Sequence, residues 1–547
     1  MTCNAPSMRY LLLILPSVAG SSLEEAGGRS PLQLADTPTI DSLAQRGRVG
    51  ALAPDLDALE QPTTGAAALA ALLGATPDPH TGALFSDAQA RAAAADIRLE
   101  QHDLALRLDF ITLSHETDDQ PARLIHPWTP SVTHAEAREL LHDLNGALRD
   151  VGLAQLSAEP TPDPPNQDHG PSDPAAPLPL ASFEARLGRT GAWRASACHI
   201  LIERNHTLAQ RDAPTQPQTA KDRLRTLLTR AVGSIAGEHD DVLRTVEPEF
   251  IVGQPIDRHL PRGPRAQLLR AAFDASREAF TASQVNAARR EAGLPEVSAA
   301  WFSGQPTPGP PLPHLSPSDA AKARGLSACL IAAEDEPLGV AKRLGFELIA
   351  PTDPDDSASV LEAATLALER YDLVVVHDRR TDRAAFGRDP NRLIAAVEEA
   401  DQRLLAPLLS KLERAAAASP AASTAPAPPS PDQSLFDASA QRRHATAPFR
   451  VAVAVDRPVD AASATPIPGL APVAIGGAWL SSVVQRTLTE LHAHETDLRI
   501  VPSSGFLEFF LRSGLRGRAA VPPAISANRT PAKPNISDTP STDQDAS

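Results

Sequence analysis

The stretch from Tyr371 to Pro390, YDLVVVHDRRTDRAAFGRDP, constrains this chain more than any other. Its opening residues are apolar, β-branched and non-alternating, which is the pattern of a strand buried on both faces of a parallel sheet. The run empties into His377, Asp378, Thr381, Asp382 and Asp389, with Gly387 and Pro390 breaking the chain behind it. Open α/β sheets place ligands just beyond the carboxyl ends of their strands. This polar segment, expected as a loop, is therefore a candidate site. An isolated strand and loop of this kind is more often a solvated connection, so the rest of the chain has to decide.

At 547 residues the chain is long enough for two or more domains. A formal charge of −16 argues against nucleic acid and against an anionic membrane surface as partners. Cys3, Cys198 and Cys329 are too widely spaced for a disulfide framework or a zinc motif, and point to a reducing, cytoplasmic setting. The 53 prolines are clustered, which marks linkers. Arg9, the run Tyr10–Leu15 and the small residues through Gly20 have the outline of a secretory signal peptide. The run is short and Pro16 ends it, so Arg9–Leu15 is also readable as the first core strand. No other stretch is long and apolar enough to span a membrane.

Along the chain, Asp36-Thr37-Pro38 predicts a helix start with Thr37 as N-cap, Pro38 at the first helical position and a stop at Gly47. Thr63 and Thr64 precede an alanine-rich helix, where capping is the common role and phosphate binding the sharper one. Strands are expected at Asp103–Leu113, Ala328–Ala333, Phe346–Ile349, Leu373–Val376, Phe449–Asp456 and Ala471–Ile475. Helices are expected at His134–Leu148, Lys221–Ile235, Pro264–Arg290, Leu338–Leu344, Ala358–Arg370 and residues 391–414. Glu159–Leu180 is proline-rich and expected to be irregular.

Several blocks, in one order, resemble the archaeal-type 2,3-bisphosphoglycerate-independent phosphoglycerate mutases of the alkaline phosphatase superfamily. They are GGRSPLQLADTPTIDSLAQRG, HTGALFSDAQA, DLALRLDFITL, NAARREAGLPEVSAAWFSG, GLSACLIAAEDEPLGVAKRLGFE and the Tyr371–Pro390 stretch. The resemblance implies an α/β fold, an alkaline-phosphatase-like, mostly parallel sheet sandwiched by helices with an inserted α+β domain. The core would comprise residues 1–115 and 314–520, and the inserted, substrate-capping domain residues 116–313. Disordered segments are expected at 414–447, inside the core, and at 521–547.

The resembled family isomerises 3-phosphoglycerate and 2-phosphoglycerate through a phosphoserine beside two divalent metals held by aspartates and histidines. Such ligands suit Mn2+, Mg2+ or Zn2+. Carried over position by position, most of those ligands are changed here. Pro16-Ser17 stands where the first strand should end in Asp-Gly, and Gly20 where a second aspartate follows. The family's D-x-x-x-H keeps Asp382 but has Phe386 at the histidine; its later Asp-His pair reads Asp456-Arg457, and its final histidine falls on Pro466. The serine nucleophile falls at Thr64 or Gly65. Proline, phenylalanine and glycine side chains cannot ligate a hard cation, and neither can a permanently protonated arginine. Asp382 and Asp456 thus remain as two ligands of a depleted site, with Thr64 as the one candidate nucleophile.

Three readings follow. The first is a degenerate member with no metal cofactor, acting as a binding or regulatory protein for a phosphorylated or carboxylated small molecule. The second is an active mutase or related phosphotransfer enzyme using Mn2+, Mg2+ or Zn2+ on rearranged ligands drawn from His377, Asp378, His80 and Asp389. The third, an unrelated secreted protein, requires removal of a central strand and ranks last. In the first reading Arg457 is expected to lie across the former metal site and pair with Asp382 or Asp456, with Arg383 either helping it or, as readily, pointing to solvent.

Overall fold

Fifteen short strands in chain order carry the fold: β1 Arg9–Ile14, β2 Arg48–Leu52, β3 Leu104–Leu113, β4 Leu124–His126, β5 Ser182–Arg186, β6 His199–Arg204, β7 Ala299–Pro308, β8 Ala328–Ile331, β9 Glu347–Ile349, β10 Leu373–His377, β11 Phe449–Ala454, β12 Val459–Asp460, β13 Thr465–Pro466, β14 Ala471–Gly477 and β15 Arg499–Ile500. They belong to a computed structural model that describes residues 8–20, 23, 26–55, 59, 63–75, 86–99, 103–115, 120–151, 182–187, 196, 199–204, 243–263, 266–308, 326–418, 448–460, 462–478, 480, 482 and 484–511. The readings made for His80, Glu159–Leu180, Lys221–Ile235, residues 419–447 and residues 521–547 lie outside the described residues.

Eight strands form one sheet in the order β15-β2-β14-β11-β1-β10-β8-β9. Only β14 runs against its two neighbours; every other pairing in this sheet is parallel. The continuous apolar runs are explained by position. β1 pairs on both edges, with Leu12 opposite Val375 of β10 and Ala452 of β11, and both of its faces are covered. Leu11, Leu13, Val374, Val376, Val451 and Val453 pack to one side, and Tyr10, Leu12, Ile14, Val375 and Ala452 to the other. Arg9–Ile14 is therefore a central strand, which favours the strand over the signal-peptide reading. No helix among the described residues is long and apolar enough to cross a membrane.

The carboxyl ends of β1, β10 and β11 lie side by side because the three strands are parallel neighbours. They deliver Pro16-Ser17, His377-Asp378 and Asp456-Arg457 to one edge of the sheet, as the strand rule requires.

A second sheet has the order β4-β3-β6-β5, with β7 on the remaining part of β3. The helices His134–Asp150 and Ala266–Ala282 cover it, and Trp301, Phe110, Phe183 and Phe280 fill its core. This corrects one boundary. Leu104–Leu113 was expected in the main core but is a strand of the second sheet, because its partners β6 and β7 come from the insertion.

Three local expectations also change. Residues 379–386 form a helix rather than a loop, with Asp378 as its N-cap accepting from the Arg380 amide at 3.1 Å. Thr37 occupies the N-cap position of Pro38–Arg46 but makes no capping bond. Asp401 takes that role, accepting from Thr39 and Ile40 at 3.1 and 2.6 Å, because the long helix beginning at Pro390 packs there. That helix, loosened over Ala400–Leu405, continues to Ala417, so residues 414–417 are helical rather than disordered.

Candidate functional site

Asp382, in the first turn of the helix Arg379–Phe386, and Asp456, just past β11, meet at the sheet edge. Both carboxylates are buried, so each needs internal partners. Ser17 supplies two: its amide donates to Asp456 Oδ1 at 2.9 Å and its hydroxyl to Asp382 Oδ1 at 2.8 Å. Ser17 is fully buried and holds φ at 61°, a conformation that glycine adopts far more readily. The bend turns the chain at the β1 end so that one residue reaches both aspartates. Ser17 was not singled out from the sequence; the signal available was a polar residue directly after a buried strand.

Arg457 supplies the remainder. Its backbone amide donates to Asp456 Oδ1 at 2.7 Å, Nη1 donates to Asp456 Oδ2 at 2.8 Å, and Nη2 lies 3.5 Å from Asp382 Oδ1. The guanidinium thus spans both aspartates. Burial opposes its charge, but Asp456 and then Asp382 outweigh that and hold its pKa above the ordinary arginine value. Arg383 does not take part. It is half-exposed and donates to Asp355 at 2.7 Å.

The other carried-over positions fit no metal ligand. Pro16 contributes only its carbonyl, which accepts from Thr381 at 2.9 Å. A Cβ on Gly20 would lie 2.0 Å from the Val459 carbonyl oxygen, so an aspartate there would require the Val459 backbone to move away. Phe386 packs edge-on against Trp128, and Pro466 lies in the small hairpin β12–β13. Of the alternative donors, Asp378 and Asp389 are engaged elsewhere, and His377 lies near the pair. Asp378 is paired with Arg380, and Asp389 caps the helix Pro390–Glu399. His377 ends β10, and burial lowers its pKa, although Asp456 and Asp382 pull the other way. Among the described residues no three His, Cys, Asp or Glu side chains are arranged to hold a metal ion.

Thr64 is a helix cap. Its hydroxyl accepts from the Ala67 amide at 3.4 Å at the start of Gly65–Leu72. A Cβ at Gly65 would come within 2.1 Å of Arg457 Nη1 and Glu336 Oε1, so a larger residue there would require those two side-chain ends to shift.

Across the site, on β3, a second buried arginine was missed. Arg107 forms a planar fork with Glu249 at 2.9 and 2.8 Å and pairs with Asp109 at 2.6 Å and Asp87 at 3.7 Å. The legible signal was Arg107 and Asp109 two apart in an apolar strand, hence on one face. Burial works against its charge, and Asp109 with Glu249 more than restores it.

The two arginines, with Thr64, Asp87, Arg91, Glu336 and Phe386 among their neighbours, enclose a cavity of about 20 Å³. That is room for one water molecule. Arg457 and Arg107 already have carboxylate partners, and Arg91 lies 4.0 Å from Glu336.

The carboxylates in excess respond by holding protons. Burial first, and then Asp87, push Glu336 up to about 8, while burial and Glu249 push Glu247 to about 7. Each keeps a proton when folded that it releases on unfolding. Their stabilisation is complete below the ordinary value of 4.5 and is lost as pH rises through 7 to 8. The melting temperature is therefore expected to fall between about pH 5 and about pH 9, and Glu336→Gln is expected to flatten that fall. A melting temperature equally steep in the Gln variant contradicts this assignment.

Comparison with known proteins agrees with the fold. The Metalloenzyme superfamily profile matches residues 8–418. The chain is 25% identical over 413 residues to the 2,3-bisphosphoglycerate-independent phosphoglycerate mutase of Methanothrix thermoacetophila, covering 74% of this chain and 82% of that one. It is 26% identical over 420 residues to the protein of the same name in Aeropyrum pernix, covering 75% and 83%. A solved Pyrococcus horikoshii structure superposes with a TM-score of 0.54 at 16% identity, over 93% of this chain and 99% of that one. Sequence and fold together place the chain in the Metalloenzyme superfamily, as a distant relative of the archaeal cofactor-independent phosphoglycerate mutases.

Proposed function

We propose that this chain has left the mutase chemistry of its relatives and serves as a non-catalytic binding or regulatory protein of the cytoplasm. The observation that carries the reading is Arg457, whose guanidinium pairs with both Asp456 and Asp382 where the resemblance puts two metals. A guanidinium neutralises two carboxylates but neither polarises a phosphoryl group as a metal does nor lowers a hydroxyl's pKa by coordination. The lining supports the same reading, because Arg457 and Arg107 are each already paired with a buried carboxylate. In this reading no divalent metal is bound, and a phosphorylated or carboxylated partner would have to sit elsewhere.

The names of the relatives favour the second reading, an active mutase with Mn2+, Mg2+ or Zn2+. Assay of 3-phosphoglycerate conversion to 2-phosphoglycerate separates the two. No turnover above buffer is expected, with or without added manganese. Turnover that Thr64→Ala abolishes would make Thr64 the nucleophile and end the non-catalytic reading.

A further inference from the structure

Trp128 follows β4 in the second sheet layer, and its neighbour Thr129 is tied to β3 through an amide donating to the Phe110 carbonyl at 2.8 Å. Phe386 ends the helix that follows β10 of the main sheet. The two rings meet edge to face, with centroids 4.9 Å apart at 83°. A cation flanks each outer side. The Arg107 guanidinium lies 6.0 Å from the Trp128 centroid, and that of Arg457 lies 5.9 Å from the Phe386 centroid. The result is a four-member stack, Arg107–Trp128–Phe386–Arg457, with two members from each layer. A polar bond also crosses beside it, from the Thr465 hydroxyl to the Glu249 carbonyl at 3.3 Å, and the helix Asp87–Ala94 bridges the layers further off through Arg91 and Glu336.

We propose that this stack is a clasp that holds the second sheet layer shut over the Asp382–Asp456 pair, so that breaking it parts the layers and admits water to the pair. Both arginines are anchored from behind by buried carboxylates, Arg107 by Glu249 and Asp109, Arg457 by Asp456. They are thereby fixed as faces for the rings rather than free to swing away. Phe386 and Arg457 occupy positions that the resemblance gives to metal-binding histidines, so the same two replacements that remove ligands also build half of the clasp. The proposal does not depend on whether turnover is absent, since its test reads exchange and not activity.

The Ser17 and Arg457 amides, both donated to Asp456, report on opening, while the β1 amides report on global unfolding. Hydrogen exchange of the full chain is measured by mass spectrometry in the parent, Trp128→Ala, Phe386→Leu and the control Trp301→Phe. Trp301 is buried in the second layer against Phe273 and opposite Asp109, and is itself no member of the stack. Exchange at Ser17 and Arg457 is expected to rise roughly tenfold in both clasp variants, about 1.4 kcal/mol, with β1 unchanged and the control like the parent. Unaltered protection of the two amides in either folded clasp variant overturns the proposal. So does an equal loss of protection in β1, which reduces the stack to global stabilisation. If Trp128→Ala does not fold, Phe386→Leu, which keeps apolar volume and removes the ring, decides alone.

Discussion

Arg457→Ala is expected to destabilise the chain by about 3–5 kcal/mol, the range for removing one partner of a buried ion pair. The cost arises from what is left behind. Asp456 keeps the Ser17 amide and the backbone amide of residue 457 but loses its guanidinium contact, and Asp382 loses the Nη2 contact beside the Ser17 hydroxyl bond it retains. Glu336 also loses a nearby cation. Arg457→Lys is expected to recover part of the loss, because an ammonium restores charge but cannot present the two-nitrogen fork that reaches both aspartates. Urea denaturation measures this directly. A loss within about 1 kcal/mol, typical of exposed pairs, would mean that the guanidinium does not neutralise the former metal site.

Arg107→Ala is expected to cost as much, again about 3–5 kcal/mol, because three carboxylates share that one cation. Arg107 is 3% exposed, and Asp109 beside it is fully buried, so water cannot take over. Glu249→Gln should cost less, since Arg107 keeps Asp109 and Asp87. The pair of variants is compared by denaturation at a pH near 7. Glu249→Gln more damaging than Arg107→Ala would contradict the placement of Arg107 at the centre of this cluster.

The main sheet was legible because its strands are buried on both faces, and an unbroken apolar run such as LVVV in Leu373–Val376 has few other uses. What the runs do not encode is partnership. Leu104–Leu113 reads as a strand either way, and only pairing with β6 and β7, far along the chain, assigns it to the second sheet. The site divides in the same manner. Asp382, Asp456 and Arg457 were reached through the family resemblance, which puts them at the ends of two recognisable strands. Arg107 and Glu249 are 142 residues apart, and no local pattern announces such a pair. Ser17 was hidden for another reason: its role depends on a positive φ that a serine seldom adopts. Thr64 is ambiguous in the sequence, a hydroxyl at a helix start that suits either a cap or a chemical role, and its hydroxyl accepts from the Ala67 amide as a cap does.

Metal content of the purified chain at neutral pH tests the central claim most directly. With Asp382 and Asp456 held by Arg457 and Ser17, and with Pro16, Gly20, Phe386 and Pro466 offering no ligating side chain, no stoichiometric manganese, zinc or magnesium is expected. Two tightly held ions per chain would contradict the account, because both aspartates would then have to leave Arg457 for the metals.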